Sequence, residues 1–276
     1  MCGIVGYLGK GQAYPVLIKG LSRLEYRGYD SAGVALVHDD ATLDVYKTKG
    51  KVADLEAFCA DKDITGGAGI AHTRWATHGE PSSVNAHPHY SSSKNLAIIH
   101  NGIIENYADI KKNLMAKGVE FRSDTDTEVL VQLIEYVQTT KQLDLLTAVQ
   151  VALKQVIGAY AIALLDRNNP HQIIAARKQS PLVVGIGQDG DFYLGSDASP
   201  IIEYTDKVVY LEDGNIAVMR LGEPLQVVNI ENVKLNPEVQ TVDIDLGQIE
   251  KGGYAHFMLK EIFEQPECLQ IGRAHV

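Results

Sequence analysis

Cys2 is the residue with the clearest chemical potential, because loss of Met1 would make it the first residue of the chain. It would then carry a thiol nucleophile and a free α-amine. An unperturbed thiol has a pKa of about 8.5 and an α-amine one of about 7.7–8.0, so a proton can pass from sulfur to nitrogen, directly or through a water. The residue type and position therefore predict a nucleophile with its own base. A cysteine after methionine can also be an accident of the start context, so other motifs are needed.

Further motifs support the chemistry of Cys2 and resemble those of class II glutamine amidotransferase domains over residues 1 to about 240. These domains belong to the N-terminal-nucleophile hydrolases. The resemblance therefore implies an α+β fold, arranged as a four-layer α-β-β-α sandwich. The motifs, in chain order, are Met1–Gly6, Arg27–Gly33, His72–Pro81 continuing to Asn85–His89, His100–Gly102 and Ser123–Glu128.

The resemblance also implies roles for individual residues in a glutamine pocket, which needs a cation, an anion and donors to an oxyanion. Arg74 would bind the α-carboxylate, a group that a planar guanidinium can hold with two hydrogen bonds. Asp126 would bind the α-ammonium, and Asp124, two residues earlier, is the alternative candidate. Either aspartate could instead serve only to cap a helix. The Asn101 side chain and the Gly102 N–H would form the oxyanion hole, where a side chain at Gly102 would block close approach. Residues expected to line or order the pocket are Arg27, Trp75, Thr77, His78, Gly79 and His87.

Within this class, the sequences of segments Thr73–Gly79 and Asp124–Glu128 are similar to those of the glucosamine-6-phosphate synthase family. That similarity implies hydrolysis of L-glutamine to glutamate and ammonia through a Cys2 thioester. In full-length relatives, which are expected to be homodimers, the ammonia would pass to fructose 6-phosphate. Lys260–Pro266 looks like the entry into their sugar isomerase half, so the chain is predicted to be truncated.

Other site types are weakly supported. The histidine-rich stretch lacks the HExxH spacing of metallohydrolases. Gly185-x-Gly187-x-x-Gly190 matches a dinucleotide fingerprint by letter, but a strand follows it at Phe192, so a hairpin is predicted. We expect no metal and no cofactor. A catalytically idle glutamine-sensing module and a zinc-dependent amidohydrolase remain as alternatives. The histidines of the stretch are His72, His78, His87, His89 and His100.

Composition bounds the possible partners. With 276 residues, 45% of them hydrophobic, the chain can bury a substantial core. A net charge of -10 argues against nucleic acid, which would require a basic surface. No apolar run approaches the ~18 residues of a membrane span, and no secretory signal is evident, so we expect a cytoplasmic protein with no membrane partner.

The three cysteines argue against a disulfide framework, because their number is odd. Cys59 lies on an apolar helical stripe that predicts a core position.

Periodicity predicts the elements that must position these residues. Strand blocks and helix blocks, with hairpins at Asp189-Gly190 and Asp213-Gly214, favour an α+β fold with antiparallel sheets. Thr125-x-x-Glu128 predicts a capped helix, and Asn101 is expected to end its strand. The loop 76–94 is expected to be functional or disordered. Predicted helices are 13–25, 51–60, 105–117, 126–139 and 143–156; predicted strands are 3–9, 33–38, 43–48, 66–75, 95–101, 161–166, 172–177, 182–186, 192–195, 208–211 and 216–220.

The predicted domain organisation has three parts. Residues 1–230 form the amidotransferase domain, and residues 231–270 form a linker, weakly patterned over 232–253, with the start of the absent isomerase half. Residues 271–276 are expected to be non-biological, because their codons can be written ATC GGA AGA GCA CAC GTC, which matches a common sequencing adapter.

Overall fold

Two antiparallel sheets form the core of the first compact unit of the chain. The computed structural model describes residues 2–243 and 252–273, and the chain divides into two compact units after Val242. The eight-stranded sheet has the order β15-β11-β9-β10-β1-β4-β2-β3, and the seven-stranded sheet has the order β14-β13-β12-β8-β7-β6-β5. The strands are β1 Gly3–Leu8, β2 Ser31–Val37, β3 Leu43–Lys49, β4 Ala68–Arg74, β5 His89–Tyr90, β6 Leu96–Ile104, β7 Gly158–Asp166, β8 Gln172–Lys178, β9 Val183–Ile186, β10 Phe192–Gly195, β11 Lys207–Tyr210, β12 Asn215–Arg220, β13 Gln226–Asn229, β14 Lys234–Leu235 and β15 Gln240–Thr241.

Helices cover the outer face of each sheet. Helices α1 and α2 pack on the eight-stranded sheet, and α3, α4 and α5 pack on the seven-stranded sheet. A third apolar cluster fills the space between the sheets. The predicted four-layer α-β-β-α sandwich is therefore confirmed. The helices are α1 Ala13–Arg23, α2 Val52–Cys59, α3 Tyr107–Met115, α4 Asp126–Lys141 and α5 Leu145–Leu153.

The alternation of side chains along a strand explains how both faces of each sheet are buried. In β6, Ile98 packs toward the helices while Ile99 packs toward the other sheet. In β4, Ile70 faces the space between the sheets. By the same period of two, His72 and Asn101 point into the layer between the sheets. The strand pattern therefore places polar residues at one end of an otherwise apolar layer.

Strand β6 continues past Asn101, where the sequence predicted its end. It runs to Ile104 and stays paired with β7 through Gly102 opposite Tyr160 and Ile104 opposite Gly158. Gly102 has φ 129°, a backbone conformation that glycine adopts without steric cost. The strand can therefore continue through the Asn-Gly pair, and the expectation of a strand end at Asn101 is wrong.

The two predicted hairpins have different outcomes. The one at Asp189-Gly190 is confirmed, because β9 and β10 pair in antiparallel register around a 3-10 turn. The one at Asp213-Gly214 is wrong, because β11 belongs to the eight-stranded sheet and β12 to the seven-stranded sheet. Turn residues specify a reversal of the chain, whereas the partner of each strand depends on which sheet buries its faces.

Several short strands were not predicted. Strand β5 lies inside the loop 76–94, and β13, β14 and β15 follow residue 225. Strands β14 and β15 each have two residues, too few to show a periodicity, and they extend the sheets beyond residue 231. Cys59, the last residue of α2, is 1% exposed and belongs to the apolar cluster between α1, α2 and the eight-stranded sheet, as predicted.

The second unit contains one described helix, α6 Phe257–Arg273, which includes the segment Lys260–Pro266. Lys260 and Glu264 form an ion pair of 3.5 Å one turn apart. Residues 244–251 of the predicted linker and residues 274–276 of the predicted tail lie outside the described residues. Within residues 2–243 and 252–273, no helix combines the length and the apolar character that crossing a bilayer requires.

Candidate active site

One cavity of about 450 Å³ lies where β1, β4, β6 and the start of α4 converge. It brings together residues that are far apart in the sequence. Gly79 lies outside its lining but contacts Arg74, which is part of it. The predicted site residues that line the cavity are Cys2, Arg27, Arg74, Trp75, Thr77, His78, His87, Asn101, Gly102 and Asp126.

Cys2 lies directly before β1, and its thiol is held by the end of β4. The Trp75 N–H donates to Cys2 Sγ at 3.1 Å. The Cys2 carbonyl accepts from Asn101 Nδ2 at 3.1 Å and from Arg27 Nη1 at 3.3 Å. Burial raises the pKa of the Cys2 thiol, and the Trp75 hydrogen bond and the charge of Arg74 act against that rise. The thiol therefore stays protonated at neutral pH, and forming its thiolate would require a base.

Arg27 ties the loop before β2 to Cys2. It lies in the 3-10 turn Glu25–Arg27 and forms an ion pair with Asp197 as well as its bond to the Cys2 carbonyl. The Tyr26 hydroxyl also donates to Asp197, at 3.0 Å. Asp197 follows β10 and belongs to none of the sequence motifs, so sequence reasoning missed it.

Arg74, at the end of β4, is 3% exposed and supplies positive charge to the cavity. Its guanidinium donates to the carbonyls of His78, Gly79 (3.0 Å) and Glu80 (3.4 Å). A guanidinium carries five N–H groups, so donors remain for a ligand. Burial lowers the pKa of Arg74, and nearby negative charges, chiefly that of Asp30, oppose this. Arg74 thus organises the loop that follows it and also lines the cavity.

The structure separates Asp126 from Asp124. Asp126 is the first residue of α4, is 4% exposed and lines the cavity, and its Oδ2 accepts from the Ile104 N–H at 2.8 Å. Asp124 is exposed, and its N–H donates to the Asn85 side chain at 3.0 Å. The helix N-terminus favours a carboxylate at position 126. The predicted cap is confirmed, since Thr125 Oγ1 accepts from the Glu128 N–H at 3.2 Å.

Asn101 and Gly102 are consecutive residues of β6, and both line the cavity together with Cys2. The Asn101 amide contacts Cys2 through its nitrogen, while its Oδ1 lies 2.8 Å from His72 Nε2. Gly102 lines the cavity, and a Cβ atom added to it would lie 2.1 Å from the Ala159 carbonyl oxygen. The close approach of β7 therefore requires glycine at position 102.

Replacing Gly102 with alanine is expected to lower the free energy of unfolding by more than about 3 kcal/mol, because strain at positive φ adds to the clash with β7. Gly118→Ala is the matched control. Gly118 also has a positive φ, 87°, but nothing lies within 4 Å of its added Cβ, so a loss of only about 1–2 kcal/mol is expected. Urea unfolding of both variants measures the difference. Equal losses would contradict the packing argument.

Buried histidines form the wall between the cavity and the interior. Thr127 Oγ1 lies 2.8 Å from His87 Nε2 and 3.0 Å from His100 Nδ1. Burial lowers the pKa of His72, His87, His89 and His100, so these rings are neutral at neutral pH. Among the described residues, no group of three or more His, Cys, Asp or Glu side chains is arranged to hold a metal ion. The rings instead act as hydrogen-bonding groups.

Some residues that line the cavity were not predicted from the sequence as part of the site. Thr125 and Thr127 were inside a recognised motif, so proximity to Asp126 was an available signal. Ser180 and Pro181 come from the turn between β8 and β9, for which no motif signal existed. The unassigned lining residues are His100, Ile103, Thr125, Thr127, Ser180 and Pro181.

Comparison with known families and proteins gives consistent matches. Residues 46–237 match the family described as the glutamine amidotransferase domain. The chain is 71% identical over 269 residues to glutamine–fructose-6-phosphate aminotransferase (isomerizing) of Bacteroides thetaiotaomicron, covering 98% of this chain and 44% of that protein. It is 52% identical over 274 residues to the protein of that name from Chlorobaculum tepidum, with the same coverage. The chain thus spans less than half the length of these relatives.

Two solved structures share the fold. The glutamine phosphoribosylpyrophosphate amidotransferase of B. subtilis, in complex with ADP and GMP, superposes with a TM-score of 0.70 at 25% identity and covers 83% of this chain and 49% of that one. A glutamine aminotransferase class-II domain protein from Silicibacter pomeroyi gives a TM-score of 0.56 at 16% identity and covers 83% of this chain and 99% of that one. The second likeness concerns the fold alone.

Proposed function

The chain belongs to the glutamine amidotransferase domain family, and on that premise we propose that it hydrolyses L-glutamine to glutamate and ammonia with Cys2 as the nucleophile. One observation carries the proposal. The Cys2 thiol shares a single cavity with a buried cation, Arg74, a buried anion, Asp126, and an amide donor, Asn101. Glutamine has a complementary group for each of them.

Substrate binding follows from these charges. The α-carboxylate of glutamine binds the guanidinium donors of Arg74 that the loop carbonyls leave unused. The α-ammonium binds Asp126, whose Oδ2 is already oriented by the Ile104 N–H. Two fixed charges of opposite sign thereby orient the amino acid, with its side-chain amide toward Cys2.

In the chemical step, loss of Met1 frees the Cys2 α-amine, which accepts the thiol proton. The sulfur attacks the amide carbon, and negative charge develops on the amide oxygen. Asn101 Nδ2 has a second N–H besides the one that bonds the Cys2 carbonyl, and this N–H and that of Gly102 stabilise the oxyanion. The C–N bond then breaks, the proton passes from the α-ammonium to the leaving nitrogen, and ammonia departs from a thioester. Water attacks the thioester with the amine again as base, which releases glutamate and restores the thiol.

The longer proteins that this chain matches suggest the fate of the ammonia. We propose that, within a full-length homodimer, ammonia from Cys2 passes to fructose 6-phosphate and yields glucosamine 6-phosphate, in keeping with the names of the relatives. This chain by itself is then expected to release glutamate and to make no amino sugar. Glutamate and glucosamine 6-phosphate can be assayed in parallel with glutamine and fructose 6-phosphate present. Formation of glucosamine 6-phosphate by this chain would contradict the proposal that it carries out only the hydrolysis of glutamine.

Removing the Asp126 carboxylate or the planar guanidinium of Arg74 is expected to weaken recognition of glutamine. Asp126→Asn and Arg74→Lys should each lower kcat/KM by about 10- to 150-fold, mostly through KM, because a hydrogen bond to a charged group contributes about 1.5–3 kcal/mol. Asp124→Asn is the matched control, since that carboxylate is exposed and lies outside the cavity lining. Steady-state glutamate release measures all three variants. If Asp124→Asn raises KM as much as Asp126→Asn does, the assignment is incorrect.

A further inference from the structure

We propose that His72 is a positioning residue that holds the Asn101 side-chain amide with its nitrogen directed at Cys2. His72 Nε2 lies 2.8 Å from Asn101 Oδ1, and Asn101 Nδ2 lies 3.1 Å from the Cys2 carbonyl oxygen. The two contacts engage opposite ends of one amide group. The proposal rests on the proposed function, in which Asn101 stabilises the oxyanion.

Hydrogen-bond polarity gives His72 this role. An amide can rotate so that its oxygen and nitrogen exchange places. In the exchanged orientation, Asn101 would set its oxygen against the Cys2 carbonyl oxygen, leaving two acceptors face to face. It would also direct a partial negative charge toward the developing oxyanion. A donor at His72 Nε2 favours the productive orientation, because only the Asn101 oxygen can accept from it.

The fold holds both partners firmly. His72 lies on β4 and Asn101 on β6, in different sheets, and both point into the layer between them. His72 is 0% exposed, and its ring centroid lies 4.3 Å from that of His87. A side chain packed in this way loses little further freedom when it makes the contact.

The state of the imidazole is consistent with donation from Nε2. Burial lowers the pKa of His72 to about 3, so the ring is neutral during catalysis and carries one N–H. Within the described part of the chain, His72 Nδ1 has no hydrogen-bond partner. The proton therefore belongs on Nε2, where an acceptor is present. A charged imidazolium here would add a second buried cation close to Arg74.

The decisive test compares two polar substitutions that differ in reach. In His72→Gln the side-chain amide nitrogen can occupy the place of Nε2, whereas in His72→Asn it is too short. We expect His72→Asn to lower kcat for glutamate release by about 10²-fold, the effect of losing one oxyanion donor, with KM within about threefold of the unmodified protein. His72→Gln should keep kcat within about tenfold. His38→Gln, at a 5% exposed histidine outside the cavity lining, controls for loss of a buried imidazole.

A double variant and a spectroscopic measurement complete the test. His72→Asn combined with Asn101→Ala should be no slower than Asn101→Ala alone, because both act through one group. The ring ¹⁵N chemical shifts of His72 in the unmodified protein should report a proton on Nε2.

Equal kcat values for the Asn and Gln variants, multiplicative losses in the double variant, or a proton on Nδ1 would each overturn the role of His72. A normal kcat in Asn101→Ala would instead overturn the oxyanion step of the proposed function. The failures of the two proposals are thus distinguishable.

Discussion

Replacing Cys2 with alanine is expected to lower the rate of glutamate release by on the order of 10⁶-fold, the scale observed when a covalent hydrolase loses its nucleophile. Without the sulfur no thioester forms, and the remaining cavity groups can only bind glutamine. Ammonia or glutamate release under saturating glutamine measures the effect. Glutamine binding, measured by calorimetry, should persist, because Arg74 and Asp126 are unchanged.

Cys59→Ala is the matched control for Cys2→Ala. Cys59 is a free cysteine outside the cavity lining; it is the last residue of α2 and is 1% exposed, in the apolar cluster between α1, α2 and the eight-stranded sheet. Its loss should cost about 1–2 kcal/mol of stability and leave kcat unchanged. Thiol alkylation should abolish activity in Cys59→Ala.

Full turnover in Cys2→Ala would rule out Cys2 as the nucleophile. Turnover that is sensitive to a chelator would favour a zinc amidohydrolase. Glutamine binding by the unmodified protein without turnover would instead favour a sensing module.

Keeping Cys2 but blocking its α-amine is expected to slow hydrolysis by about 10²- to 10⁴-fold, the usual contribution of a general base. Burial raises the pKa of the Cys2 thiol, so the sulfur needs a base to become nucleophilic. When Met1 or any other residue precedes Cys2, the adjacent nitrogen is an amide and cannot accept the proton. The same protein should therefore be nearly inactive or active depending on one peptide bond.

The measurement uses a precursor in which a specific protease site ends immediately before Cys2. Activity should appear as cleavage proceeds, in proportion to the fraction of chains whose mass corresponds to a free Cys2. A precursor with the same extension and a scrambled protease site controls for the protease treatment. Full activity in chains whose measured mass still includes the extension would refute the role of the amine.

Local patterns predicted many elements because their causes are local. Helix α4 follows from the cap at Thr125 and its apolar residues, and β6 from a run of apolar residues after position 95. The layer order came from the resemblance to a family and not from periodicity. Strands buried on both faces read as continuously apolar, so their pattern does not say which face meets a helix and which meets a sheet.

Local sequence patterns did not predict which strands pair when those strands are distant in sequence. The turn at Asp213-Gly214 reverses the chain as its residues predict, yet the flanking strands enter different sheets. Strands of two residues, such as β14, form only because a longer strand offers them an edge. Both outcomes depend on packing of the whole core and are invisible within a window of a few residues.

The sequence by itself determined which residue types could do the chemistry: a cysteine able to become the first residue, an arginine, candidate aspartates and an Asn-Gly pair. Only the tertiary structure brought Asp126 into the cavity and left Asp124 exposed, because α4 begins between them. The pairing of Arg27 with Asp197, 170 residues apart, and that of His72 with Asn101, on facing sheets, likewise depend on how the layers pack. Such contacts follow from burial summed over the domain, which no single motif encodes.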